Sequence, residues 1–487
     1  MEREILDQKK IRIEKLERLK ELGLDPYPYN YARTHSIGGI RAKEKEMVGK
    51  DSVAIAGRIM AKRGHGKTVF ADIEDSTGKL QIYFRKDKLD EKLFEMVGLI
   101  DIGDFIGACG EIFKTGTGEL TLLVKSLEFL SKSLFPLPEK WHGLKDKETR
   151  YRRRYLDLIM NKDVRETFII RAEIIKKMRE ILDSKGFIEV ETPVLQPLYG
   201  GAFATPFKTY YKVLDRDYFL RISDELYLKR LIVGGLEKVY EICKDFRNEG
   251  IDRNHNPEFT MMEAYEAYAD YRDMMDLTEE IVTGITESVI GNLKITFQGN
   301  DVDLTRPWKR LGFYEGIESF TGEDLSKLTR DEVFTFAREQ GLDIDENAGK
   351  GKILDEIFGE MVQPNLIQPT FVIDFPLDIS PLAKRHRENP ELVERFEPVI
   401  AGLEIGNAFS ELNDPFDQRE RFEEQRKMKE MGEGEIQELD EDFLAAMEYG
   451  MPPTGGLGIG VDRLVMLLTD NPSIREVIVF PQLKSKE

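Results

Sequence analysis

Phe246-Arg247-Asn248-Glu249-Gly250, continuing through His255 to Phe259-Thr260-Met261-Met262-Glu263, is the stretch that decides how this 487-residue chain is read. Its counterpart lies some two hundred residues further on: Gly455-Gly456-Leu457-Gly458-Ile459-Gly460-Val461-Asp462-Arg463-Leu464. Each sets an arginine beside glycines and carboxylates. A triphosphate with its magnesium needs such a set: guanidinium forks for phosphate oxygens, carboxylates for the metal, and glycine where the backbone must come close. The glycine run carries no P-loop lysine and ends a strand instead of opening a βαβ unit, so a parallel nucleotide-binding sheet is not expected.

Around the first stretch the pattern predicts two strands, Val239–Phe246 and Phe259–Ala267, joined by a loop holding Gly250, Asn254, Asn256 and Pro257. Period-two alternation puts Phe259, Met261, Glu263 and Tyr265 on one face, and in the same way groups Glu241, Cys243, Asp245 and Arg247. Charges on an inward sheet face are costly unless paired with each other, as in a structural salt bridge, or with a ligand. A third piece holds Glu397 and then Glu404-Ile405-Gly406-Asn407-Ala408-Phe409-Ser410-Glu411-Leu412-Asn413-Asp414. Glu397 and Glu404 lie among Val399, Ile400, Leu403 and Ile405. That suggests a sheet with a buried face, from which both could offer oxygen ligands to magnesium.

Length calls for two or more domains. With 41% hydrophobic and 33% charged residues the chain reads as globular. No apolar run approaches membrane-spanning length, and the charged start Met1-Glu2-Arg3-Glu4 leads into an amphipathic segment. Cys109 and Cys243 are far apart, so neither a disulfide framework nor a cysteine zinc site is expected, and a reducing cytoplasm fits. A net charge of −20 argues against bulk polyanion binding, although local basic clusters remain: Lys62, Arg63 and Lys67, and the run Arg150, Arg152, Arg153, Arg154.

Residues 4–22 have helical spacing and stop at Gly23. Between 51 and 130 the period falls to two, with strands at Val53–Met60, Thr68–Glu74, Leu80–Phe84, Phe105–Phe113 and Leu120–Phe129 and a helix at Lys88–Val97. Five strands with a helix there describe an oligonucleotide-binding (OB) barrel. The expected division is an N-terminal helix and extended segment at 1–50, the barrel at 51–135, a linker at 136–150 marked by Pro136 and Pro138, and a larger domain at 151–487. Within it, 270–365 reads as a mostly polar helical insertion that carries no nameable chemistry. A helix from Val164 to Lys185 precedes a strand ending at Pro193.

The long stretches named above, together with Arg221-Ile222-Ser223-Asp224-Glu225-Leu226-Tyr227-Leu228-Lys229-Arg230-Leu231, resemble class II aminoacyl-tRNA synthetases, and within them the bacterial-type lysyl enzymes. The likeness runs from about residue 5 to residue 483. Glu404 to Asp414 is its most lysine-specific part. It implies an α+β fold class: an N-terminal five-stranded OB barrel for the anticodon, then an antiparallel sheet flanked by helices. Arg247 would bind the α-phosphate and the substrate carboxylate. Arg463 would hold the γ-phosphate and cover the adenine, with Phe259 on its other face and Glu249 and His255 nearby. Glu397 and Glu404 would hold magnesium. Gly201 and Glu225 would receive the α-amino group, Asn407 would lie near the carboxylate, and Glu263, Tyr265 and Glu411 would surround the ε-ammonium. In the barrel, Arg63, Phe70 and Gln81 would read the anticodon's central base, by stacking and hydrogen bonding.

Two departures from the family pattern stand out: Thr205 replaces a usual basic residue and Ala408 a frequent glycine. The resemblance implies lysine, ATP and tRNA(Lys) as substrates, magnesium as cofactor, a homodimer built on the 164–193 region, and no membrane. Aspartyl- or asparaginyl-type enzymes share the architecture, but their pocket should offer a cation where this chain offers Glu263 and Glu411. Enzymes that lysylate a protein or lipid lack the barrel or add membrane helices. A non-enzymatic OB-fold nucleic-acid-binding protein would not need Arg247, Glu404 and Arg463 together.

Overall fold

Alternating small and β-branched residues close the N-terminal strands into a barrel. The computed structural model describes residues 2–64, 66–138, 144–430 and 439–485. The middle of the expected linker, 139–143, and residue 65 of the basic loop lie outside them. The chain divides into two compact units, Met1–Lys145 and Asp146–Glu487.

In the first unit the helix Glu2–Glu21 ends ahead of Gly23, which takes the left-handed φ of +65° that glycine tolerates. The strands β1 (Val53–Arg63), β2 (Thr68–Asp75), β3 (Gly78–Arg85), β4 (Phe105–Lys114) and β5 (Leu120–Ser131) form a closed barrel in the order β1-β2-β3-β5-β4. Inward residues such as Ile55, Ile73, Ile82, Phe84, Ile106 and Leu122 fill it. The helix Glu91–Leu99 sits between β3 and β4, capped by the Asp90 carboxylate, which accepts the Leu93 N–H at 2.7 Å. Lys62 corrects the reading of the basic cluster. Its Nζ is turned inward onto the carbonyls of Val97 (2.7 Å) and Ile100 (2.8 Å), at the C-terminal end of that helix, where a cation is favourable.

The second unit is built on one large sheet. Its strands run in the order Lys309–Gly312, Thr370–Pro376, Leu392–Ile400, Gly406–Ser410, Thr454–Gly460, Glu258–Ala267, Lys238–Phe246 and Ile188–Glu189, with Leu403–Glu404 paired beside Leu392–Ile400. Central pairs are antiparallel; the two outermost pairs are parallel. The expected strand ending at Pro193 is only Ile188–Glu189, because the chain then leaves the ladder: Thr192 N–H bonds the Glu241 carboxylate at 3.0 Å instead.

One face of the sheet is covered by the helices Lys162–Ser184, Tyr271–Ile285 and Val461–Leu468. The helix Tyr271–Ile285 therefore belongs to the main core, with Met274, Ile281 and Val282 fully buried, and not to an insertion. A separate apolar cluster, including Phe313, Ile317, Val333, Ile353 and Phe358, holds the helical layer after residue 312. The Arg150–Arg154 run is mostly structural. Arg154 is fully buried and donates to Asp157 (2.6 Å) and to carbonyls of Arg475 and Val479, while Arg150 bridges Asp157 and Glu476. This arginine pair ties the segment to the C-terminal end of the chain.

Candidate active site

All thirteen site residues expected in the larger domain line one cleft of about 550 Å³: Gly201, Glu225, Arg247, Glu249, His255, Phe259, Glu263, Tyr265, Glu397, Glu404, Asn407, Glu411 and Arg463. The sheet brings them together. In the register of the two central strands Glu241 stands opposite Glu263, Cys243 opposite Met261 and Asp245 opposite Phe259. The glycines of Thr454–Gly460 complete the wall from the other side, with Gly458 opposite both Glu263 and Asn407. At Gly456 a Cβ would collide with the Glu411 carboxylate and the Tyr265 ring. Glycine there is a requirement of close packing, not of turn geometry.

At one end of the cleft the Arg247 guanidinium lies 5.1 Å from the centre of the Phe259 ring, and the Arg247 N–H is fixed on the Pro257 carbonyl at 2.9 Å. Arg463 donates to the Glu404 carboxylate (3.0 Å) and carbonyl (2.7 Å). Its other nitrogen is 3.4 Å from His255 Nε2, whose ring is held by Asp252 at 2.8 Å. Asp462 locks the two glycine- and arginine-bearing stretches to each other: its carboxylate accepts Thr260 N–H at 2.7 Å and pairs with Arg171 at 2.6 Å.

Glu397 and Glu404 both line the cleft. Burial, with Glu404 as the next influence, pushes the Glu397 carboxyl up to about 8 although Arg395 opposes it at 2.6 Å. Two carboxylates so placed are hard oxygen donors whose mutual repulsion a divalent cation would relieve, so the residues fit magnesium. Arg395 escaped the sequence reading. It donates to Asn407 Oδ1 (2.9 Å), Ser380 Oγ (2.9 Å) and Glu397, and so fixes both Asn407 and Glu397. The stretch thought to lack chemistry also contributes: Asp355, Gly359 and Gln363 line the cleft.

Residues 146–484 match the family described as tRNA synthetases class II (D, K and N), and residues 53–130 match an OB-fold nucleic acid binding domain. The chain belongs to the class II tRNA synthetases. Over 480 residues it is 55% identical to a lysine--tRNA ligase of Carboxydothermus hydrogenoformans, covering 98% of each chain. A lysine--tRNA ligase of Moorella thermoacetica is 53% identical over 478 residues, again 98% of each chain. One from Clostridium perfringens is 49% identical over 491 residues, 100% of this chain and 98% of its own.

The amino-acid end of this synthetase's cleft differs from expectation in its charge balance. Glu263 accepts from Ser223 Oγ (3.2 Å) and Tyr265 Oη (3.0 Å). Glu225 and Glu411, however, already share a counter-ion, the fully buried Lys229, which is ion-paired to both. Burial alone would pull the Lys229 ammonium down, but the two glutamates outweigh it and raise it. Glu411 therefore does not face Glu263 as a bare like charge when the site is empty. Glu411 is compensated and Asp245 is reached by Arg221 at 3.5 Å, whereas Glu263 and Asp224 stand without an ion pair among the described residues. Gly201, at φ +90°, lets the chain pass within contact of Ser223 and Glu225: a Cβ would sit 2.7 Å from Ser223 Oγ.

In the barrel, Phe70 stacks on Tyr83 of the neighbouring strand, with ring centroids 4.2 Å apart, and Arg63 lies 6.0 Å from the Phe70 ring centre. Tyr83 was not anticipated, though it shares a face with Gln81 by alternation. Gln81 is buried and its carbonyl accepts from Thr121 Oγ1 at 3.0 Å. Its amide N–H groups therefore remain the part suited to a base.

Proposed function

We propose that this synthetase activates L-lysine with ATP and transfers it to tRNA(Lys). The observation that carries the reading is an end of the cleft lined by the acceptors Glu263, Tyr265 and Glu411, joined to an end bearing Arg247 and Arg463. An ammonium has three donors and no acceptor, and it requires such acceptors when taken out of water. In the first step the lysine carboxylate oxygen bonds to the α-phosphorus, the bond from that phosphorus to the β-bridging oxygen breaks, and pyrophosphate leaves. In the second, the terminal 3′-hydroxyl of the tRNA attacks the acyl carbon, AMP leaves, and the hydroxyl proton passes to the released phosphate.

No protein nucleophile is needed. The chain's work is positioning and charge stabilisation. Arg247 would hold the α-phosphate and the substrate carboxylate, with Asn407 oriented by Arg395 beside it. Arg463 would hold the γ-phosphate, and Phe259 would stack on the adenine, near Glu249 and His255. Gly201 and Glu225 would take the α-amino group. Glu397 and Glu404 would hold magnesium, which when bound screens the phosphate charge.

On the barrel, Arg63, Phe70 and Gln81, with Tyr83, form a surface suited to a splayed base. A second copy of the chain would cover the apolar groups exposed near the helix Lys162–Ser184: Ile169 is 62% exposed, Ile188 50% and Leu195 50%. Among the described residues no helix is long and apolar enough to cross a membrane, and a cytoplasmic role in translation accords with this reading. ATP–pyrophosphate exchange across a panel of amino acids tests it. Exchange should depend on lysine. Exchange driven instead by aspartate or asparagine, or none with any amino acid, would overturn the proposal.

A further inference from the structure

Asp224 opens the helix Glu225–Val233, yet its carboxylate does not cap it. Ser223 Oγ takes the Glu225 N–H instead, at 3.1 Å. The Asp224 side chain is fully buried and neither of its oxygens has a hydrogen-bond donor. An oxygen from each of Asp224, Asp245 and Glu263 lies within 4.8 Å of the others, all three residues buried. Asp245 Oδ2 has no donor either.

The cations around this cluster either reach its Asp245 member or are held elsewhere. On the segment that carries Asp224, Arg221 pairs with Glu241 at 2.7 Å and approaches Asp245 at 3.5 Å, while Lys229 is held by Glu225 and Glu411. The strand Lys238–Phe246 brings Glu241, Cys243 and Asp245, with Arg247 just beyond its end. The strand Glu258–Ala267 brings Glu263 and Tyr265. Ionised carboxylates only accept hydrogen bonds. Two of them in such proximity out of water, with no donor on Asp224, call for a proton or a cation between them.

We propose that Asp224 and Glu263 hold one proton between them when the lysine site is empty, and that the arriving ε-ammonium displaces that proton to solvent. This rests on the lysine reading above. Asp224 is then a specificity-determining positioning residue that acts through Glu263. The exchange is electroneutral: one positive charge enters the buried cluster and one leaves. A neutral isostere of lysine cannot drive it, because it would expel no proton without leaving an extra buried anion. Burial, then Asp245, pushes the Asp224 carboxyl up to about 7, and burial, then Asp224, holds Glu263 well above the carboxylate range.

The test is calorimetry of lysine binding to the full-length protein in two buffers of different ionisation enthalpy, beside lysine KM from pyrophosphate exchange across pH 5.5 to 8.5. About one proton should be released per lysine near pH 6.5. Because the empty-site pair is raised, KM should fall as pH rises, by up to about ten-fold per unit, and level off once the pair has ionised. Asp224→Asn removes the second carboxylate and presents an amide donor to Glu263, so it should reduce the proton release and move the pH dependence to lower pH while lysine is still activated. Wild-type protein that binds lysine with no proton release would overturn the proposal. So would unchanged release in Asp224→Asn, or sodium or magnesium competing with lysine through Asp224. Loss of all lysine-dependent exchange in the wild type would instead count against the lysine reading itself.

Discussion

Replacing Lys229 by Met tests whether the lysine-recognition wall is held by an internal ion triad. Lys229 has no exposed surface, Glu411 none, and the Glu225 side chain only 8%. Removing the cation leaves two buried carboxylates with no compensating charge. Breaking a buried pair in this way costs roughly 3–5 kcal/mol, whereas an exposed pair is worth about 0–1 kcal/mol. The magnitude therefore separates a structural triad from an ornamental one.

The pH dependence sharpens the test. Burial already raises Glu225 and Glu411 despite Lys229. Without the ammonium both must rise further. A carboxyl raised in the folded state costs nothing below its unfolded value near 4.3 and costs more as pH climbs toward its folded value, at about 1.4 kcal/mol per unit. The deficit of Lys229→Met, read from urea unfolding, should thus be larger at pH 8 than at pH 5.5 by more than about 1 kcal/mol. A deficit below about 1 kcal/mol at pH 8, or one equal at both values, would refute the triad. Lys229→Met combined with Glu411→Gln should recover part of the loss, because the second change removes one stranded charge.

Glu263→Gln should lower kcat/KM for lysine by about a hundred-fold or more while the KM for ATP moves little, as for losing one partner of a buried charge contact worth about 2–5 kcal/mol; steady-state exchange kinetics read both. Phe70→Ala should weaken tRNA charging by about 1–3 kcal/mol and leave ATP–pyrophosphate exchange near wild type, and an equal fall in both would contradict a separate role for the barrel. Sedimentation at low micromolar concentration should give about twice the 56.2 kDa chain mass, and Ile169→Asp should shift it toward the monomer; a fully active wild-type monomer would dismiss the paired assembly.

What could be read in the sequence, and what could not, divides along one physical line. Strand alternation and arginine–glycine spacing report which face a residue occupies, and this sufficed for the barrel strands and for the Arg247 and Glu263 strands, while Gly201, Glu225 and Asn407 came only from the family resemblance. Charge does not report direction. Lys62 and Arg154, named only as members of basic clusters, turn inward as donors to backbone carbonyls, because a long basic side chain can turn either way. The helix Tyr271–Ile285 was placed in a polar insertion because its acidic residues masked a stripe of Met274, Leu277, Ile281 and Ile285 that packs on the sheet. Lys229 did leave a signal. Glu225, Leu228, Lys229 and Ile232 fall on one helical stripe, and all are buried. A lysine in phase with leucines, four residues after a glutamate, is a charge committed to the core. Such a charge needs a partner from another segment, which here is Glu411. Asp224 precedes the same stripe, and its carboxylate, turned inward instead of capping, is a feature only the assembled strands could reveal, since its neighbours Asp245 and Glu263 come from two other strands.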